Sequence, residues 1–330
     1  MKKLLTALLA VSMLLTLVAC GGTSEPTSAA STSGSADPAP ASQEELFIGV
    51  VTKSLADQHW ALVKAGAEAK AKELGVKVSV TGPNSESDVQ AQVDMIDNLI
   101  GQGVNALCVA PCSQDAVLVP FKTADDEGVP ILTIDTDTTF ENRLAFIGTG
   151  NEAAAKAGGE VAAKAVGQGA KAVIIRGRLG DATHDQRQKG FEDALKAAGI
   201  EILDIKAADS DAEKAMNVMQ DLYQVYDQID LVCTTTDNMA YGIQRAIEAA
   251  GTETLQMSFD GTTTACELIL EGKMLGSVAQ NPYAMGELAV ENAVKAIRGE
   301  SVEARIDSGS EVVTADNAQA YLDKLNKLAG

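Results

Sequence analysis

Short apolar runs alternate with longer segments of helical periodicity along most of this chain, and this alternation constrains the fold more than any other feature. The first runs are LFIGVVT, VKVSVTG, VNALCVAP and VPILTID, and a second series begins with LAFIGT. The helical patterns between them include QHWALVKAGAEAKAKEL, a segment around Gln114 to Asp126, the Ala-rich stretch from Glu152 to Val166 and the segment from Gln186 to Ala198. Strands that are joined through helices pair in parallel, and helices cover both faces of such sheets. The sequence therefore predicts an α/β fold with parallel sheets.

The length of the chain indicates that these strands form more than one sheet. The chain has 330 residues, whereas a single domain typically has about 100–200. The first series of strands is complete near Gly148. We therefore expect two similar α/β lobes, with a break close to that glycine.

The N-terminal segment predicts export and attachment to a membrane. Lys2 and Lys3 precede an apolar stretch that ends in LVAC at residues 17–20, as in a secretory signal sequence. LVAC resembles the lipobox of bacterial lipoproteins, which implies that Cys20 is lipidated. Residues 21–44 are rich in Gly, Ser, Thr, Ala and Pro and are expected to form a disordered tether.

Charge and cysteine content exclude some classes of partner. The formal net charge of −20 argues against nucleic acid and anionic lipid surfaces, which both require a basic face. Cys108, Cys112, Cys233 and Cys266 have neither CxxC spacing nor a histidine partner, so we expect no zinc site. The sequence leaves open whether Cys108 and Cys112 form a disulfide.

Polar residues stand just after the predicted strands, where ligands bind in parallel α/β sheets. These residues are Lys53, Asp57, Asp135, Asp137, Thr236, Asp237, Asp260 and Gln280. Asp237 precedes a helical pattern and also fits an N-cap. In the segment TIDTDTTF, Asp135 lies at the strand end and is expected to face a ligand, whereas Asp137 is expected to be a turn residue.

The chain contains the segments VPILTID, QRQKGF, MNVMQ ahead of TTTDNMA, and SFDGT followed by VAQ. Together these segments resemble those of ribose-binding proteins. From about residue 46 to residue 299 the chain is similar to the type-I periplasmic sugar-binding proteins of ABC transporters. This resemblance implies two Rossmann-like lobes joined by three hinge crossings, near Gly148, Gln280–Pro282 and Ile306–Gly309. The lobes would comprise residues 45–148 with 281–308, and residues 149–280 with 309–330.

The resemblance also implies a ligand site. Asp135, Arg187, Asp260 and Gln280 match the family's ligand residues in kind. Other positions differ from the ribose pattern: His59 and Trp60 replace two phenylalanines, Asp57 and Thr236 replace asparagines, Thr136 replaces an arginine, and Ser210 replaces a phenylalanine. His184, one turn before Arg187, is a further candidate contact, but we expect it to be a surface side chain. The predicted ligand-binding set is Lys53, Asp57, His59, Trp60, Asp135, Thr136, Arg187, Thr236, Asp237, Asp260 and Gln280.

These observations predict an extracytoplasmic, lipid-anchored binding protein that captures a monosaccharide or polyol by hinge closure and delivers it to an ABC transporter permease. We expect a monomer without enzymatic activity, cofactor or metal. One alternative is a sensory receptor that feeds a membrane kinase. Another is a carbohydrate-active enzyme that uses Asp135 and Asp260 as its acid pair.

A third alternative is an NAD-dependent enzyme. The segment FIGTGNEA matches the dinucleotide fingerprint G-x-G-x-x-A. However, it lies in the middle of the chain, and the next strand ends in IIRG rather than in an acidic residue. We therefore interpret Gly148 and Gly150 as hinge glycines.

Overall fold

The computed structural model describes residues 46–328. The predicted signal sequence, Cys20 and the tether lie outside the described residues. The first part of the described chain contains β1 (Phe47–Val51), α1 (Gln58–Leu74), β2 (Lys77–Thr81), α2 (Val89–Gly101), β3 (Ala106–Val109), α3 (Leu118–Asp126), β4 (Ile131–Ile134) and β5 (Ala145–Gly148). The alternation predicted from the sequence is present here.

The second part continues the same alternation. It contains α4 (Asn151–Val166), β6 (Lys171–Arg176), α5 (Ala182–Ala197), β7 (Glu201–Ala207), α6 (Ala212–Val225), β8 (Leu231–Thr234), α7 (Ala240–Ala250), β9 (Leu255–Asp260), α8 (Thr263–Leu270), β10 (Gly276–Gln280) and α9 (Pro282–Ile297). The elements β11 (Arg305–Asp307), β12 (Ser310–Thr314) and α10 (Ala318–Leu328) follow. The predicted alternation did not include these last three elements; β11 and β12 are short, with three and five residues.

The strands form two six-stranded sheets. The first has the order β11-β5-β4-β3-β1-β2, and the second has the order β12-β10-β9-β8-β6-β7. All pairs are parallel except β10 with β12, which is antiparallel. The predicted fold class, two α/β lobes with mainly parallel sheets, is therefore confirmed. We call the lobe built on the first sheet the first lobe, and the other the second lobe.

The chain passes from one sheet to the other three times. The passages follow β5, follow β10 and lie between β11 and β12. At the third passage Ser308 N donates to Gly148 O at 3.1 Å, so two of the passages lie side by side.

Helices α1 and α9 pack against each other at unusually close range in the first lobe. A Cβ atom on Gly66 of α1 would lie 2.0 Å from Tyr283 O, and one on Gly286 of α9 would lie 2.0 Å from Val63 O. Only glycine allows the two backbones to approach so closely. Because α9 begins directly after β10 of the second sheet, this contact fixes one of the passages between the lobes.

Two helix starts differ from the sequence prediction. Helix α5 begins at Ala182 rather than Gln186, because the Asp181 carboxylate caps it by accepting from the backbone N–H groups of Thr183 and His184. Helix α3 begins at Leu118 rather than near Gln114. No helix within residues 46–328 is long and apolar enough to cross a membrane.

Candidate functional site

A cavity of about 380 Å³ lies between the two lobes, where strands of both sheets end. Its walls are formed by Lys53, Asp57, Gln58, His59, Trp60, Glu86, Asp135, Thr183, His184, Arg187, Ser210, Thr236, Asp237, Asn238, Tyr241, Asp260, Thr262, Thr264 and Gln280. Every residue of the predicted ligand-binding set lines this cavity except Thr136. Strand ends far apart in the sequence are thus brought together at one place.

Asp135 is the central acid of the first lobe's wall. It follows β4 with a left-handed φ of 61°, a conformation that is costly for most residues and that clusters at functional sites. Its Oδ1 accepts from Thr136 Oγ1 at 3.1 Å, and its Oδ2 lies 3.4 Å from His59 Nε2. Burial raises the pKa of Asp135, but His59 and Lys53 lower it more, and the net pKa lies well below the usual range. Asp135 is therefore a charged acceptor.

Asp260 holds the corresponding position in the second lobe, at the end of β9. Its carboxylate accepts from Arg187 Nη1 at 3.0 Å, Thr236 Oγ1 at 2.6 Å and Gln280 Nε2 at 2.7 Å. The φ of 126° at this residue is also in the unfavourable region. The carboxylate of Asp260, whose backbone has this unfavourable conformation, thus orients three other residues of the predicted ligand-binding set.

Arg187 is held from several sides. Its Nε donates to Asn151 Oδ1 at 2.9 Å, and its Nη1 also donates to Thr235 O at 3.0 Å. The guanidinium lies over the Phe259 ring, 4.0 Å from the ring centroid. Nη2 has no hydrogen-bond partner within residues 46–328, so this nitrogen is available to a molecule in the cavity.

Asp237 does not act as the helix N-cap that its sequence position suggested. It lies inside a single 3₁₀ turn ahead of α7, and no side chain caps that turn. Its carboxylate instead accepts from the backbone N–H and hydroxyl of Thr262 and from Ser277 Oγ. Burial and the neighbouring Asp260 raise its pKa. Asp237 lines the cavity, but its oxygens are used to attach the start of α8 to β10.

The two lobes contact each other beside the cavity. Lys53 Nζ lies 3.3 Å from Asp181 Oδ2, and Thr263 N donates to Gln58 Oε1 at 2.9 Å. Burial lowers the pKa of Lys53, but Asp181 and Glu86 raise it more, so the net pKa is raised. The lobes are therefore in a closed arrangement.

Thr136 is one of these lobe contacts. Its hydroxyl lies 3.2 Å from Thr183 Oγ1 of the second lobe and donates to Asp135 in the first. This position explains why Thr136 is buried and does not line the cavity.

His184 is a buried neutral base in the second lobe's wall, so the expectation of a surface side chain was wrong. Its Nδ1 is 2.9 Å from Thr235 Oγ1, and its Nε2 is 3.2 Å from Ser210 Oγ. Burial lowers the pKa of His184 to about 4. The attraction of the Asp181 carboxylate is too weak to offset burial, and repulsion from Arg187 and Lys53 lowers the pKa further. Ser210 also has a left-handed φ, 59°.

Sequence reasoning missed part of the wall. The missed residues are Gln58, Glu86, Thr183, Asn238, Tyr241, Thr262 and Thr264. Glu86 lies in the connection after β2, so the rule that selected the other strand ends could have found it. Thr262 and Thr264 could not be found this way, because the start of α8 reaches the cavity only through tertiary packing.

The chemistry of the wall suits a polyhydroxylated molecule. Carboxylates accept hydrogen bonds from hydroxyl groups, and guanidinium and amide groups donate to them. No group of His, Cys, Asp or Glu in the described part of the chain is arranged to hold a metal ion. Cys108 and Cys112, whose pairing the sequence left open, are free and buried, as are Cys233 and Cys266.

Residues 48–301 match the periplasmic binding protein domain. The chain belongs to this family. A ribose import binding protein of Haemophilus influenzae is 30% identical over 267 residues, which cover 81% of this chain and 91% of that protein. A D-allose-binding periplasmic protein of Escherichia coli is 30% identical over 75% of this chain and 83% of its own length.

Solved structures show the same similarity. A carbohydrate transporter solute-binding protein from Agrobacterium radiobacter, in complex with D-arabinose, is 29% identical with a TM-score of 0.79. The match covers 88% of this chain and all of that protein. A solute-binding protein from Actinobacillus succinogenes with bound D-allose is 25% identical with a TM-score of 0.79, over 84% of this chain and all of that protein. These relatives are binding proteins by name.

Proposed function

We propose that this chain is the solute-binding component of an ABC importer and that it captures a monosaccharide or polyol between its two lobes. The observation that carries this proposal is the Asp260 network, in which one carboxylate orients Arg187, Thr236 and Gln280 toward the cavity. The sugar-binding names of the relatives agree with this chemistry.

In the proposed complex, Asp135 of the first lobe and Asp260 of the second lobe accept hydrogen bonds from hydroxyl groups of the sugar. Arg187 donates through its free Nη2, and Gln280 completes the polar side. Trp60 also lines the cavity, and its indole ring would pack favourably on the C–H face of a sugar. Each charge-assisted hydrogen bond contributes roughly 1.5–3 kcal/mol.

The three passages between the sheets are the proposed hinge. Capture would bring the first lobe (residues 45–148 and 281–308) onto the second lobe (residues 149–280 and 309–330). The Lys53–Asp181 and Gln58–Thr263 contacts would then form beside the bound sugar, which supports closure as the capture step.

A thermal-shift panel tests this function. D-ribose, D-allose, D-arabinose and myo-inositol, each at saturating concentration, are compared with amino acids and NAD. A ligand that binds only the native state at about 100 times its Kd stabilises the protein by about 2.7 kcal/mol, so at least one carbohydrate should raise the melting temperature. The proposal fails if no carbohydrate does so while an amino acid or NAD does. Recovery of the bound sugar unchanged would agree with a binding role rather than an enzymatic one.

We also infer that the protein is held outside the cytoplasm, at the membrane surface, by a lipid on Cys20. The sequence LVAC and the periplasmic family support this inference. The natural protein should partition into a detergent phase, and Cys20→Ala should move it to the aqueous phase. Size-exclusion chromatography of residues 44–330 should give a monomer.

A further inference from the structure

The two cationic side chains at the cavity already have carboxylate partners. Arg187 Nη1 lies 3.0 Å from Asp260 Oδ1, and Lys53 Nζ lies 3.3 Å from Asp181 Oδ2. All four side chains are at most 13% exposed. These pairs use both positive charges in the wall.

Three carboxylates of the first lobe, all lining the cavity, form no ion pair with a lysine or arginine of the described chain. Within residues 46–328, Asp57 forms no ion pair, and Glu86 forms none either, since its one side-chain hydrogen bond comes from Trp60 Nε1 at 3.4 Å. Asp135 is 5% exposed, and its ion-pair partner is a histidine, His59, whose Nε2 lies 3.4 Å from Asp135 Oδ2. His59 Nε2 has no hydrogen-bond partner within residues 46–328.

The nearby basic groups cannot balance this charge. Lys53 also attracts Glu86 and Asp135, but its single charge is already shared with Asp181. A protonated His59 would compensate one carboxylate at most. The cavity therefore carries excess negative charge, which is concentrated on the wall that follows β1, β2 and β4.

A neutral sugar cannot balance this excess. Its hydroxyl groups donate hydrogen bonds to carboxylates but bring no positive charge, and closure of the lobes removes water from the acids. Burying an uncompensated charge is costly. An ammonium group supplies both the charge and three donors, and a cation is also stabilised beside an indole ring.

We propose that the ligand is a polyhydroxylated molecule with one ammonium group, an amino sugar or an aminopolyol, and that this group binds on the Asp57–Glu86 side of the cavity. This inference rests on the proposed function and specifies its ligand class. The hydroxyl groups then bind the Asp260 network of the second lobe.

Isothermal titration calorimetry with matched pairs of compounds tests the inference. The pairs are D-glucose with D-glucosamine, D-allose with 2-amino-2-deoxy-D-allose, D-ribose with 2-amino-2-deoxy-D-ribose, and myo-inositol with an aminodeoxyinositol. In at least one pair the amine should bind at least about tenfold more tightly than the alcohol, a factor worth about 1.4 kcal/mol. Its N-acetyl derivative, which has no charge, should lose this advantage.

Two variants locate the ammonium group. Asp57→Asn and Glu86→Gln should each reduce the amine-to-alcohol affinity ratio by about fivefold or more, and circular dichroism verifies that they are folded. Asp88→Asn is the matched control, because Asp88 is exposed, makes no capping hydrogen bond and does not line the cavity. An unchanged ratio in both cavity variants would overturn the assigned position.

The outcomes separate the two proposals. If alcohols bind as tightly as their amines in every pair, the ammonium inference is wrong while the sugar-binding function stands. If neither alcohols nor amines bind, the proposed function itself is wrong.

Discussion

Lys53 Nζ lies 3.3 Å from Asp181 Oδ2, and this buried ion pair joins the two lobes at the edge of the cavity. The residues are separated by 128 positions in the sequence. Asp181 also caps α5, which carries both His184 and Arg187. The pair therefore links the contact between the lobes to the start of the helix that carries the proposed binding residue Arg187.

Removal of one partner of this pair should be more damaging than removal of both. Lys53→Met leaves the Asp181 carboxylate buried without its cation, and such changes typically cost about 3–5 kcal/mol. The double variant Lys53→Met/Asp181→Asn should recover part of the lost free energy of unfolding, because Asn still caps a helix. Urea unfolding of the single and double variants measures the coupling. Equal stability of Lys53→Met and the wild type would mean that the pair is not formed in solution.

Asp260→Asn should weaken sugar binding by at least about 100-fold, or about 2.7 kcal/mol. The substitution keeps the shape of the side chain but removes the charge that orients Arg187, and it turns an amide group toward Gln280 or Thr236. Calorimetry with the best sugar of the panel provides the measurement. Asp137→Asn is the control, because Asp137 pairs with Arg143 outside the cavity. The sugar affinity of this control variant should stay within about twofold of that of the wild type.

His184 should make the protein less stable as the pH falls below neutrality. Its folded pKa of about 4 is lower than the ordinary histidine pKa of 6.5, so between these values the unfolded chain binds more protons and the free energy of unfolding decreases with falling pH. His184→Gln should remove up to roughly 3 kcal/mol of this dependence. Asp135 and Asp181, whose pKa values are lowered, contribute below about pH 4, where their stabilisation is lost. The free energy of unfolding of the variant and of the wild type is measured between pH 7 and pH 4. The same pH dependence in both proteins would contradict the prediction.

Trp60 should report ligand binding directly. It is the only tryptophan of the chain, it is 3% exposed, and it lines the cavity. Saturation with a sugar should therefore change the intrinsic fluorescence, and Trp60→Phe should abolish the signal while retaining weaker binding. Trp60→Ala should in addition lower the free energy of unfolding by roughly 3–5 kcal/mol, because the ring belongs to the first lobe's core. An unchanged emission spectrum at a sugar concentration that calorimetry shows to be saturating would place the sugar elsewhere.

Much of the fold was predictable because its signals are local. Helix α1 occupies the predicted segment from Gln58 to Leu74, and Gly75 ends it with a left-handed φ of 66°. The strands were recognisable as short apolar runs between helices, and the α/β class follows from their alternation. Strand-end position also singled out Asp135 and Asp260, which both line the cavity, without knowledge of their partners.

The sequence by itself determined the elements, their order and the acids that stand at the strand ends, because periodicity and turn chemistry act between near neighbours. Tertiary structure alone decided which groups these acids contact. Thr136 joins the lobes instead of lining the cavity, Asp237 attaches α8 instead of capping α7, and Glu86 enters the wall. Each of these outcomes depends on groups from distant parts of the chain, and hydrogen bonds and charge balance form only when folding brings those groups within a few ångströms.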